Sequence, residues 1–237
     1  MLIRPLLPSC VLVGEMDPLE ADPLDLHPAE LRQIERAVSR RRHEYSAGRL
    51  LARSLLNGLG VAQAPLLNRP NRTPAWSAGV VGSISHCATL CAVAVALESE
   101  IAAIGIDVEL AEPLGVDVEP LVLTAIDRDS IARLPASVRI LGSRLVFSAK
   151  EAIYKVLYPI GGMFIDFSDV YVEFGTNSSF TAAAVTRSPR VITLLRSIHG
   201  RFRIDGPHLA TTAFALAAHA EGTPDRLGCR ATPRAYG

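Results

Sequence analysis

What this 237-residue sequence lacks narrows its function before any motif is considered. It has no charge excess, since 24 basic residues meet 24 acidic ones. Nucleic-acid binding through bulk charge is therefore not expected, although a local basic patch stays open. No apolar run approaches the length of about 20 residues that a membrane-spanning helix needs. Cysteine is scarce: Cys10, Cys87, Cys91 and Cys229 do not show the spacing of a small disulfide scaffold and suggest a reducing compartment. Cys87, Cys91 and the adjacent His86 could ligate a metal, but the lack of a fourth ligand argues against it. The opening "MLIRPLLPSCVLVGE" is interrupted by Pro5 and Pro8, and no small-residue cleavage site follows. It reads as mature protein, with the cytoplasm as the expected location. Internal repeats are absent, and so is the phosphate loop of the common nucleotide hydrolases, which ends in Gly-Lys-Ser/Thr.

What is present is a chain built to pack. Hydrophobic residues make up 49% of it and mean hydropathy is +0.26, enough for one large domain or two small ones. A helix is expected from Pro28 to about Gly58, with a break near Ser39. A Pro- and Asn-bearing loop follows over 61–79, then a turn at "GSISH" leading into a strand from Cys91 to Leu97. "IAAIGIDVEL" reads as a second strand, on which period 2 places Asp107 and Glu109 on one face. Residues 111–142 suggest short helices. The stretch "FSAKEAIYKVLYP" predicts a helix over about 143–158 that Pro159 stops. Strands are expected near 168–174, 180–186, 201–204 and 210–217. The tail 221–237 reads as disordered. Helix-then-strands in each half suggests an α+β protein.

Four groups of residues carry possible chemistry, and each also has an ordinary structural explanation. Glu151 and Lys155 sit four apart on the expected helix, as a surface ion pair would, or as an acid and base at a substrate. Asp107 and Glu109 together are costly unless something neutralises them. Mg²⁺ takes such oxygen ligands together with substrate phosphates, and Glu151 could supply a third. In "GSISH" small residues allow close backbone approach, and Ser85 and His86 can donate to phosphate oxygens. In "RRRHEYSAGR" Arg41 and Arg49 fall on neighbouring faces of a helix, either solvated or as a phosphate clamp.

The order and spacing of "GSISH", "GIDVE" and "FSAKEAIYK" closely resemble the 4′-phosphopantetheinyl transferase superfamily, in the monomeric surfactin- and enterobactin-synthetase-activating type. "RRRHEYSAGRLLAR" and "TPAWSAGVVGS" resemble that group's upstream elements, so the likeness covers roughly residues 38–175. It implies transfer of the phosphopantetheine arm of coenzyme A to a serine of an acyl or peptidyl carrier protein, releasing 3′,5′-ADP. It implies Mg²⁺, with Mn²⁺ as the alternative, at Asp107, Glu109 and Glu151, with the backbone or a water at Val108 completing the shell. Glu151 would be general base and Lys155 would neutralise the leaving phosphate. Coenzyme A would meet Arg41, Arg49, Ser85 and His86, the loop residues Asn68, Arg69 and Asn71, and Ile165 beside the pantetheine arm. Asn68 stands where relatives often have Lys, which leaves Arg69 or Arg72 as the source of charge.

The implied fold is a pseudo-dimer of two similar α+β halves in one monomeric chain. They are expected at 1–113 and 114–220, with the nucleotide and metal between them. Partners implied are coenzyme A and apo carrier proteins, with no nucleic acid and no membrane span. Two alternatives stand beside this reading: a silent relative that binds coenzyme A or a carrier, and a different Mg²⁺-dependent phosphotransferase. "GIDVE" and "FSAKEAIYK" are both intact, which argues against the first.

Overall fold

The computed structural model describes residues 1–62, 64–162, 166–185 and 189–218. Ile165 and the tail 221–237 lie outside the described residues. Among the described residues, eight strands form two antiparallel sheets. The first, in the order β1-β3-β2, comprises β1 (Leu12–Met16), β2 (Val80–His86) and β3 (Cys91–Leu97). The second, in the order β4-β8-β7-β6-β5, comprises β4 (Ile101–Leu110), β5 (Val170–Phe174), β6 (Ser179–Ala184), β7 (His199–Asp205) and β8 (His208–Leu216). Two 20-residue helices pack on them: α2 (Ser39–Gly58) on the first sheet and α6 (Gly142–Gly161) on the second. Shorter helices are α1 (Pro28–Gln33), α3 (Glu119–Val122), α4 (Ala125–Ala132), α5 (Ala136–Arg139) and α7 (Pro189–Arg196).

Three expectations need correction. "GSISH" is not a turn but the body of β2, because alternation puts Ser83 and Ser85 on one face and Ile84 against α2 on the other. Pro159 does not stop its helix, which runs on to Gly161 and ends where Gly162 turns left-handed at φ +61°. Proline has no N–H, so it removes one bond to the carbonyl four residues back without ending the helix. The division at residue 113 leaves "GIDVE" in the first half, yet β4 is hydrogen-bonded along its length to β8 of the second sheet. β1, which lies among prolines, and α7, the short run "PRVITLLR", are too short to carry a clear periodic signal in the sequence.

The two sheets meet at β2 and β4, which run side by side in the same direction. Side-chain hydroxyls take the place of backbone pairing there: Ile106 N–H donates to Ser83 Oγ at 3.1 Å, and Val108 N–H donates to Ser85 Oγ at 3.2 Å. A core shared by both parts backs this seam, with Leu2, Ile3, Ala92 and Ala94 packed with Ile104, Ile106, Val108 and Phe214. A second core seats α6 on its sheet through Ala149, Ile153, Val156 and Leu157 against Val172, Leu209 and Ala213. Each large aliphatic side chain buried there contributes about 1.5–3 kcal/mol.

Close approach fixes where α6 sits. A Cβ at Gly105 would lie 1.9 Å from the carbonyl oxygen of Ala152, so only glycine lets β4 pass the helix at this depth. Two residues further along β4 is Asp107, and one turn further along α6 is Lys155. Among the described residues no helix is long and apolar enough to cross a membrane. Cys87 and Cys91 are free and buried.

Candidate active site

Asp107 is the centre of the polar cluster at the seam. It is 4% exposed, and its Oδ1 accepts from Ser85 Oγ at 2.8 Å and from Lys155 Nζ at 2.9 Å. Lys155 also donates to the Ile106 carbonyl at 2.9 Å. The charge partner of Lys155 is thus Asp107 on the strand beneath α6, rather than Glu151 on its own helix. The other oxygen of Asp107, Oδ2, is buried without a hydrogen-bond partner. An unsatisfied buried carboxylate oxygen is costly, and such an atom requires a physical explanation.

Two more carboxylates stand near it. Glu109, two residues along β4, pairs with Arg144 at 3.1 Å, yet its acid is pushed up to about 7 by burial and then by the charge of Asp107. Glu151 on α6 is also raised, chiefly by burial, with Lys155 opposing and Asp107 adding. Among the described residues no three His, Cys, Asp or Glu side chains close on one point as around a bound metal. The donor set nevertheless fits a hard divalent cation: three oxygen ligands at mutual repulsion, one with a free buried lone pair. Val108 is fully buried and its N–H is taken by Ser85, leaving only its backbone carbonyl as a conceivable ligand.

The cationic side of the site comes from α2 and the end of β2. Arg41 Nη1 donates to His86 Nε2 at 2.8 Å. His86 Nδ1 lies 3.5 Å from Glu44 Oε2, and Arg41 is 3.6 Å from the same oxygen. Burial, outweighing Glu44, moves the His86 acid below its ordinary value and favours the neutral ring that accepts from Arg41. Arg49 is differently placed. It is buried, lies 4.1 Å over the Tyr45 ring, and donates to the Leu66 carbonyl at 2.8 Å and to Asn68 Oδ1 at 2.5 Å. It therefore shapes the loop over 66–74. Asn68 N–H donates to Gln33, and Asn68 bridges to Pro74. Asn71 donates to the Tyr158 hydroxyl at 3.2 Å, which ties this loop to α6. Arg69 and Arg72 are exposed at the loop tip, with Arg72 left-handed at φ +67°.

Sequence reasoning missed three contributors. Glu44, three residues after Arg41 on the same helix face, collects Arg40, Arg41 and His86. Arg144 is seven residues before Glu151, two turns back on one face, and holds Glu109 and the Glu112 and Pro113 carbonyls. Tyr158 fixes Asn71. Helical spacing was the available signal for all three. Next to Glu151, a cavity of about 140 Å³ is lined by Ile153, Tyr154, Leu157, Phe167 and Val170. Lys150 at its edge is engaged elsewhere, donating to Asp127 and to the Val122 and Phe167 carbonyls.

This arrangement offers clustered carboxylates, a lysine, and an arginine–histidine pair at the join of two sheets, as phosphoryl transfer requires. Known proteins resemble this chain in sequence. Residues 29–96 match the 4′-phosphopantetheinyl transferase N-terminal domain, and residues 103–213 match the 4′-phosphopantetheinyl transferase superfamily. The chain is 36% identical to the 4′-phosphopantetheinyl transferase Svp of Streptomyces mobaraensis, covering 92% of this chain and 91% of that one. It is 35% identical to the 4′-phosphopantetheinyl transferase PptT of Mycobacterium tuberculosis, over 68% and 70% of the two chains. Identity to the enterobactin synthase component D of Salmonella typhimurium is 35%, over 52% and 51%. On these matches, with the carboxylates and lysine gathered at the seam, the chain belongs to the 4′-phosphopantetheinyl transferase superfamily and is an enzyme of that type.

Proposed function

We propose that this enzyme moves the phosphopantetheine arm of coenzyme A to a serine hydroxyl of an apo acyl or peptidyl carrier protein, for secondary-metabolite or siderophore synthesis. The observation that carries the reading is the Asp107 carboxylate, with one oxygen held by Ser85 and Lys155 and the other buried and free. Asp107, Glu109 and Glu151 would hold Mg²⁺ or Mn²⁺, which supplies charge neutralisation at the pyrophosphate when bound.

The remaining work falls to the chain's own side chains. The carrier serine oxygen attacks the β-phosphorus of coenzyme A, and the bond from that phosphorus to the bridging oxygen breaks. The serine proton passes to Glu151, a carboxylate that burial makes a better proton acceptor. The electron pair leaves with 3′,5′-ADP, whose new charge faces Lys155. Arg41 and His86 hold nucleotide phosphates, Arg49 keeps the Asn68–Asn71 loop in place, and exposed Arg69 adds charge. The apolar cavity beside Glu151 suits the pantetheine arm. The enzyme works as a cytoplasmic monomer.

Incubation of apo carrier protein with coenzyme A and Mg²⁺, followed by mass spectrometry, tests this. A gain of one phosphopantetheine on one serine supports transfer. Cleavage of coenzyme A with unmodified carrier would instead show a hydrolase, and no change in either would show a binding relative.

A further inference from the structure

Ser85 sits in "GSISH" as one of two serines that look alike along β2. Ser83 and Ser85 are 5% and 6% exposed. Each hydroxyl accepts a backbone N–H of β4, Ser83 from Ile106 and Ser85 from Val108, at 3.1 and 3.2 Å. As stitches between the sheets they are equivalent. They differ in one respect: Ser85 Oγ also donates to Asp107 Oδ1 at 2.8 Å. A hydroxyl has a single proton to donate, so the Ser85 proton is committed to Asp107 and is not available to a phosphate.

The consequence for Asp107 is geometric. Ser85 and Lys155 both occupy Oδ1, which fixes the carboxylate plane and leaves Oδ2 as the buried, unpartnered atom. We infer that Ser85 is a positioning residue for the cation, selecting which oxygen of Asp107 binds it, and is not a coenzyme A phosphate ligand. The inference rests on the proposed metal role of Asp107. Groups that orient a ligating side chain typically change metal affinity by about 10–100-fold when removed. The neighbouring Ser83 supplies a control that loses the same kind of seam bond without touching a carboxylate.

The test measures Mn²⁺ binding in the full-length protein with saturating coenzyme A and no carrier, following free Mn²⁺ by electron paramagnetic resonance. Ser85→Ala should raise the Mn²⁺ Kd by about 10-fold, while Ser83→Ala leaves it within about twofold despite a similar fall in Tm. The KM for coenzyme A of Ser85→Ala, taken at saturating Mg²⁺, should stay near the wild-type value. An unchanged Mn²⁺ Kd with a raised coenzyme A KM would overturn the inference in favour of phosphate binding. Equal losses in both serine variants would overturn it in favour of a purely structural stitch. If Ser85→Ala does not fold, Ser85→Cys keeps the shape with a poor donor and should show the same weakened Mn²⁺ binding; a wild-type Kd there overturns the inference. Asp107→Asn separates the underlying reading: if that variant binds Mn²⁺ normally, the metal assignment itself fails, whatever Ser85 does.

Discussion

Lys155 and Glu151 are four residues apart on α6, but they do different things. Lys155 holds Asp107 Oδ1 and the Ile106 carbonyl, whereas Glu151 is raised by burial and repulsion. Lys155→Met should therefore cost about 1–3 kcal/mol in urea unfolding, because it strips a charged donor from buried acceptors. Its kcat should fall by orders of magnitude and stay low at saturating Mg²⁺. Glu151→Gln should fall as far in kcat with little change in stability, which single-turnover transfer and Tm together would resolve. Equal stability losses in both would count against the separate roles. Glu109 provides a pH test. Its acid rises from the ordinary 4.5 to about 7, so between those values the folded state binds the proton more tightly than the unfolded one. Stability from this group is thus present below about pH 4.5 and lost as pH rises toward 7. In metal-free buffer, Tm should decline across that window in the wild type and decline less in Glu109→Gln; parallel curves would sink the assignment.

At the scale of elements, α6 is placed by what lies beneath it. Gly105→Ala would push a methyl group into the Ala152 carbonyl. It should cost about 1–3 kcal/mol or more, and it should lower transfer as well, since Lys155 would be displaced from Asp107. The other anchor is Lys150, buried at 3% exposure and bonded to Asp127 at 2.6 Å. Asp127 also accepts from Thr124 N–H and Val172 N–H, joining α4 to β5. Lys150→Met leaves that carboxylate buried without its cation and should destabilise by about 3–5 kcal/mol. Urea titration checks this; a variant as stable as wild type would mean that Asp127 finds other compensation.

For the whole molecule, the seam between sheets is a core and not a hinge. Ile104, Ile106, Val108 and Phe214 pack with Leu2, Ile3, Ala92 and Ala94 into one cluster, and α2, β2, β4 and α6 each contribute a site residue. The parts should unfold together. Trp76, the sole tryptophan, lies against Gly82 in the first part, while helix signal at 222 nm reports on both α2 and α6. Urea curves from tryptophan fluorescence and from circular dichroism should coincide, as a single transition demands. Two separated midpoints would show independently folding halves.

Periodicity and spacing in the sequence determined α2, β3, β4 and α6, because those signals are local: an apolar stripe, an alternation, a stop at glycine. They also placed Asp107 with Glu109 and Glu151 with Lys155, since neighbours on one element stay neighbours in space. Local signals could not say that β2 lies along β4, that Ser85 gives its proton to Asp107, or that Lys155 turns from Glu151 to the strand. Nor could they show Arg49 spent on the Leu66 carbonyl and Asn68. Those outcomes were decided only by the tertiary structure, because burial at the seam obliges each hydroxyl, guanidinium and ammonium group to find a partner, and the nearest partners are remote in sequence.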